Sequence, residues 1–361
     1  MATPATVAVL PHGKRLLELR NVTLEPGPFE VVVRQTAAGV CHSQLDQIDN
    51  PTRFGAPAKS QPVVMGHESV GTIVDIGTEV HEFAIGDEVL VTWVPRTRRL
   101  DRLPQPSTVA LDNGECAVTH NVFAWGTHTV VDELFVCPAP EGTPRDVGAI
   151  VGCAVMTGAG AVLNTAAVEP GHSVVVWGAG GVGLSAVAAA RIAGAAPVIA
   201  VDVADEKLDQ ARLFGAHDTV NVVREDPVEK IHQLTRTATG SGADYVLDCI
   251  AKPDTVRDSL AAVRAAHLAK RPGGTVILVG VPTEPLQFDG LDLVAKEKRL
   301  IGCRAGDSVP EEDFSRLVRW HRSGQLDLSK LVSRRYRLEQ INEAVDDLRR
   351  GRVVGRAILE L

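Results

Sequence analysis

Three side chains able to ligate a soft cation stand far apart in the chain. Cys41 lies in Gly39-Val-Cys-His-Ser43, His67 in Met65-Gly-His-Glu-Ser69, and Cys153 in Val151-Gly-Cys-Ala-Val-Met-Thr157. Two thiols and one imidazole suit zinc. Three protein ligands leave the fourth tetrahedral position to water or substrate, as in a catalytic site. Spacing alone fits equally a pair of packing cysteines and a hydrogen-bonded histidine, and both readings stand at this point.

A second constellation is more specific. The apolar run Val174–Trp177 leads into Gly178, Gly180, Gly181, Val182 and Gly183, and an Ala-rich helix is expected from there to Ala193. Such glycines let the backbone turn tightly and approach a pyrophosphate, whose charge rests on the helix N-terminus. Asp202 ends the next apolar run, about 20 residues beyond the last glycine. An acid there accepts hydrogen bonds from the adenosine ribose and repels a 2′-phosphate, so NAD is expected over NADP. Lys207, on the helix that follows, is placed to cover the ribose.

The elements that must position these groups read in two styles. Short β-branched runs at 29–34, 70–75 and 88–93, separated by Gly and Pro, mark a β-rich first third. From Ser173 strands alternate with helices at 205–214, 226–237 and 254–270, which means a doubly wound parallel sheet. The tail from Pro310 reads as helical and ends in a strand within 353–361. The expected organisation is therefore α/β: a β-rich domain of residues 1–154 and 306–361, and a dinucleotide-binding domain of residues 155–305.

Composition narrows the classes. The chain has 361 residues, 45% hydrophobic and 23% charged, with a net charge of -8. A net acidic surface disfavours nucleic acid and anionic membranes, and 4% aromatic residues offer little stacking surface. The apolar run 173–190 carries four glycines and reads as a buried strand-turn-helix rather than a membrane span. The N-terminal segment lacks the basic start and long apolar run of a secretory leader. A cytoplasmic setting is expected, with the six cysteines as free thiols or metal ligands.

The segments Gly39–Ser43, Gly66-His67-Glu68, Gly152–Thr157 and 177–221 together resemble the zinc-dependent alcohol dehydrogenases of the medium-chain dehydrogenase/reductase superfamily. The likeness runs from Glu30 to Arg356-Ala-Ile-Leu. It implies a GroES-like catalytic domain beside a Rossmann domain, and Cys41, His67 and Cys153 as the catalytic zinc ligands. It implies that Glu68 approaches the metal during ligand exchange, that Ser43 takes the alcohol proton, and that Trp93 is a bulky pocket residue. It places His42 and Arg356 at the coenzyme pyrophosphate, Thr157 near the nicotinamide, and Val279 and Val281 along its ring. It also implies a homodimer joined through the edge strand near Lys298–Cys303. Zinc in that site lowers the pKa of an alcohol oxygen, and hydride passes from the alcohol carbon to NAD.

Three departures qualify the likeness. Relatives hold a structural zinc on four close cysteines, whereas the stretch 92–136 here has only Cys116, so one zinc per chain is expected. Arg96, Arg98, Arg99 and Arg102 occupy that stretch, either as a solvated basic loop or as an anion-recognising rim. Gln44 stands where relatives carry an acid that supports the ligand histidine, and a neutral amide there is expected to support it less well. Asp46 occupies the place where some relatives end the proton relay with His.

The leading reading is an NAD-linked alcohol dehydrogenase or aldehyde reductase acting on a small molecule. The stretch 151–221 looks closest to the class III-like group, which makes S-hydroxymethyl thiol oxidation the alternative. A zinc-free reductase, or a non-catalytic dinucleotide-binding protein, would fit the fold but not the filled ligand positions.

Overall fold

The computed structural model describes residues 2–50, 61–96, 102–238, 240–267 and 271–361. Arg98 and Arg99 lie outside them. The chain divides into two compact units, one of residues 1–153, 309–323 and 327–361, the other of residues 154–308 and 324–326.

The first unit is built on β1 (Thr3–Leu10), β2 (Glu18–Leu24), β3 (Glu30–Val40), β4 (Val63–Val64), β5 (Glu68–Ile76), β6 (Glu88–Thr92), β7 (Thr108–Ala110), β8 (Cys116–Val118), β9 (His128–Asp132) and β10 (Val136–Pro138). One sheet runs β2-β1-β4-β8-β7. The alternation in β1, with Ala5, Val7 and Val9 inside, follows from packing one face on Phe123, Val32 and Val130. The other sheet runs β10-β6-β5-β3 and recruits two strands from the chain end, β17 (Val332–Arg337) and β18 (Arg356–Glu360). β18 lies antiparallel to β3, with Ala357 opposite Val40 and Ile358 opposite Gly39. This register carries Arg356 to the end of the strand that delivers Cys41.

The second unit holds a parallel sheet ordered β13-β12-β11-β14-β15-β16. Its strands are β11 (Val174–Trp177), β12 (Val198–Asp202), β13 (Asp218–Asn221), β14 (Tyr245–Asp248), β15 (Thr275–Leu278) and β16 (Arg299–Gly302). β11, β12 and β14 are buried through almost their whole length, as strands covered on both faces must be. The order reverses between β11 and β14, the switch point at which such sheets bind ligands.

One local expectation is corrected, and a second segment is unusual. The helix expected over 254–270 ends at Ala262. Val263 leaves it to bridge Ala243, and the Arg264 Nε donates to Asp244 at 2.6 Å, a stronger tie than another helical turn. The segment Arg145–Thr165 is helical and is long and apolar enough to cross a membrane, but 83% of its most apolar window is buried inside the protein. Its interior includes a π-helical turn, Val151–Val155, that carries Cys153.

Candidate active site

Cys41 ends the run from β3 and caps the helix His42–Asp49. His67 immediately precedes β5, and Cys153 sits on the π turn. They stand 26 and 86 positions apart in the chain, yet their ligand atoms all lie within 4.8 Å of one another. Cys41 is 8% exposed and Cys153 7%, and His67 is half-buried. The buried His67 Nε2 has no hydrogen-bond partner. An orphaned imidazole nitrogen facing two buried thiols is costly unless a cation receives all three, so the donor set fits zinc. The Cys153 thiol beside Cys41 and the nearby Arg356 hold the Cys41 thiol far below its ordinary range, despite burial. Its partner thiol is pushed up by the Cys41 bond and by burial.

Glu68 and Arg356 form a buried ion pair beside these ligands, 0% and 4% exposed. Burial pushes the Glu68 carboxyl up to about 7, with Arg356 pulling against it. Gly39 makes the room, since a Cβ there would overlap the Glu68 carboxylate. The structure places Arg356, expected as a cationic contact of the pyrophosphate, in this buried pair with Glu68. The β18–β3 register places it inside the sheet, and a guanidinium so buried requires a carboxylate.

Gln44 is also corrected. Its Oε1 accepts from the Cys41 backbone N–H at 3.2 Å, and its own N–H reaches the Cys41 carbonyl at 3.1 Å. It braces the ligand cysteine rather than the histidine, and its buried Nε2 has no partner. Ser43 Oγ donates to Cys41 Sγ at 3.4 Å, which sets a hydroxyl against a ligand atom. Asp46, three residues on and therefore on the same helix face, accepts from Asn50 Nδ2 at 3.1 Å. His42, the first residue of that helix, is exposed. Trp93 meets His67 edge to face, with ring centres 6.4 Å apart, and forms an apolar wall beside the ligand. Asn121 Nδ2 bonds the Trp93 carbonyl at 3.5 Å. His67 lowers the His120 imidazole, though less than burial does. Neither Asn121 nor His120 carries a spacing signal that sequence alone could flag.

Among the described residues, the stretch 92–136 carries an ion-pair cluster. Arg102 grips Asp132 through two bonds of 2.6 and 2.9 Å, reaches Glu133 at 3.3 Å, and stacks 4.4 Å from the Phe29 ring centre. Arg96 lies over the Phe83 ring and donates to Glu82 at 2.5 Å. These two arginines are therefore neither a solvated loop nor a free anion rim.

In the second unit the glycine-rich turn has the shape expected of it. Gly178 has φ +90°, and a Cβ on Gly183 would overlap the Gly178 carbonyl. A Cβ on Gly180 would meet nothing within 4 Å, so the helix that opens at Gly181, with Val182 in its first turn, presents an uncovered N-terminus. That open cradle fits a pyrophosphate. Asp202 Oδ2 accepts from the Ala179 N–H at 2.8 Å, and Oδ1 from the N–H groups of Val203 and Ala204 at 2.8 and 3.1 Å. Lys207 is half-buried on the next helix. Val279 is buried, Val281 is half exposed, and both follow β15, where the N–H groups of Val279 and Gly280 share the Asp248 carbonyl. Thr157 is buried on the helix that carries Cys153.

The comparisons agree with this arrangement. Residues 27–183 match the alcohol dehydrogenase GroES-like domain and residues 181–323 the zinc-binding dehydrogenase domain. A putative alcohol dehydrogenase D of Mycobacterium tuberculosis is 32% identical, over 96% of this chain and 97% of its own. A geraniol dehydrogenase of Castellaniella defragrans is 31% identical, over 95% and 93%. The crystal structure of benzyl alcohol dehydrogenase from Acinetobacter calcoaceticus superposes with a TM-score of 0.86 at 28% identity, covering 99% of both chains.

Proposed function

The chain belongs to the zinc-type alcohol dehydrogenases of the medium-chain dehydrogenase/reductase superfamily, and from that premise we propose an NAD-linked oxidation of apolar primary alcohols to aldehydes. The observation that carries the reading is the partnerless His67 Nε2 against two buried thiols, with Ser43 Oγ 3.4 Å from one of them. One zinc on Cys41, His67 and Cys153 supplies Lewis acidity when bound, and NAD accepts the hydride.

The chain's own residues do the rest. Trp93 offers the apolar face against which a substrate carbon chain or ring packs. The relatives that act on geraniol and benzyl alcohol support that substrate class. Ser43 receives the proton lost by the substrate hydroxyl, and Asp46 on the same helix face is its next acceptor. Glu68 and Arg356 keep the ground behind the ligands dry and electrically balanced. Asp202 meets the ribose and disfavours a 2′-phosphate. The active form is a cytoplasmic homodimer built on β16, with one zinc per chain. The single cysteine among residues 92–136 supports that count.

The test is an alcohol panel read by NADH absorbance, with zinc measured on the same sample. Turnover of benzyl alcohol at least tenfold better than ethanol, with about one zinc per chain, is expected. Formaldehyde oxidation that requires an added thiol would assign the S-hydroxymethyl thiol reaction instead. Ser43→Ala should keep its zinc and lose about a hundredfold in kcat near neutral pH. Undiminished kcat would remove Ser43 from the proton path.

A further inference from the structure

The rim of the ribose site carries a charge pair that the reading above does not use. β12 and β13 run parallel with Asp202 opposite Asn221, so the loops that follow them leave the sheet side by side. Asn221 stitches those loops together. Its Oδ1 accepts from the Val223 N–H at 3.0 Å, and its Nδ2 donates to Asp205 Oδ1 at 2.8 Å. The other oxygen of Asp205 pairs with Arg224, and both side chains are at least half exposed. A guanidinium therefore stands at the adenosine end of the site, turned onto a neighbouring acid.

Asp202 is meanwhile occupied. It accepts three backbone N–H groups, one of them from Ala179 inside the glycine-rich turn. Removing it would exchange repulsion of a phosphate for an unlatched turn. Asp205 has no such duty, and its contacts are to Asn221 and Arg224. The nearby Arg212 is engaged elsewhere, with Asp209 and Thr219. Lys230 faces Glu225.

We propose that Arg224 is a latent 2′-phosphate-binding residue and that Asp205, by holding it, is the second determinant of coenzyme choice. The proposal rests on the NAD reading and deepens it. A planar guanidinium binds phosphate through paired hydrogen bonds and needs only to be released from its present partner. Exposed ion pairs are weak and salt-screened, so the lock is one that a single substitution opens.

The test uses the whole chain, with adenosine 5′-diphosphate and adenosine 2′,5′-bisphosphate as probes in calorimetric titration. Asp205→Asn keeps an acceptor for Asn221 while freeing Arg224. It should tighten the 2′,5′-bisphosphate by about three- to tenfold at low salt and leave the 5′-diphosphate within about twofold. The gain should shrink at high salt and vanish when Arg224→Gln is added. Asp202→Gly should weaken both probes. No gain in Asp205→Asn while the 5′-diphosphate still binds would overturn the proposal, as would a gain that survives Arg224→Gln. Failure of the unmodified chain to bind either probe would overturn the dinucleotide reading beneath it.

Discussion

Arg102 should be among the most stability-sensitive surface-reaching residues of the first unit. It faces Asp132 and Glu133, whose side chains are 2% and 1% exposed, while its own is 21% exposed. Asp132 also accepts the N–H groups of Gln105 at 3.1 Å and Leu134 at 2.9 Å, so its carboxylate organises the turn after β9. Arg102→Met removes the guanidinium that lies over the Phe29 ring and takes from the buried Asp132 carboxylate its two-pronged partner. Breaking a fully buried pair on one side costs about 3–5 kcal/mol. Partial exposure of the guanidinium lowers this to about 2–4 kcal/mol. For a unit of this size that is a fall in melting midpoint of about 5–15 °C.

The control that isolates the cause is the triple variant with Asp132→Asn and Glu133→Gln. It removes the stranded charge and should recover more than half of the loss. Arg102→Lys should fall between, since an ammonium cannot make the two-pronged contact. Urea unfolding of the whole chain followed by tryptophan fluorescence provides the measurement. An Arg102→Met variant within about 0.5 kcal/mol of the unmodified protein would refute the reasoning. So would a triple variant no more stable than the single one.

Other outcomes follow from the same reading. Gln44→Ala should keep the fold but release zinc to a chelator with an affinity about 10–100-fold weaker, because Cys41 loses its backbone brace; unchanged affinity would return Gln44 to a packing role. Burial pushes the Asp244 carboxyl up, but the Ser173 bonds and the Arg264 and Arg271 guanidiniums outweigh it and hold it below its usual range. Its stabilising contribution is therefore present above the unfolded value of about 4 and is lost as pH falls through the lower folded value. Asp244→Asn should flatten the acid limb of the stability–pH curve, and a superimposable limb would contradict the assignment. Leu291 and Val294 are 72% and 78% exposed on the helix preceding the edge strand β16. If the chain forms the homodimer proposed on β16, Leu291→Glu with Val294→Glu should convert it to a monomer by light scattering at micromolar concentration, and an undisturbed dimer would place the interface elsewhere.

How much of this could be read from sequence follows the range of the interactions. The strand, glycines, helix and acid between Val174 and Asp202 are local, and each residue type answers a backbone demand of its own. Gly178 needs positive φ, and Gly183 needs no side chain. The metal ligands were legible as a set only because several short motifs recur together in a known order; the 4.8 Å cluster itself is a product of tertiary folding. The Glu68–Arg356 pair joins positions 288 apart, and nothing in either neighbourhood announces the other. What could have hinted at it is Gly39, a small residue in a β-branched strand, which is glycine because a carboxylate lies over it.

Three polar side chains show what position along the chain leaves open. The resemblance implies a pyrophosphate contact for Arg356 and a weakened support of the histidine for Gln44, and Arg102 reads from sequence as a solvated loop or an anion rim. Burial decides otherwise. A guanidinium inside a sheet must find a carboxylate, a buried amide must find a backbone group, and an arginine beside two buried acids closes on them. The same rule assigns Asp205, whose partner is a surface arginine that sequence spacing leaves unremarked. Pairing of this kind also organises the turn after β9 in the first unit. There Arg102 meets two carboxylates and an aromatic face. The stability of that turn should then fall as salt rises, since the Arg102 guanidinium reaches solvent.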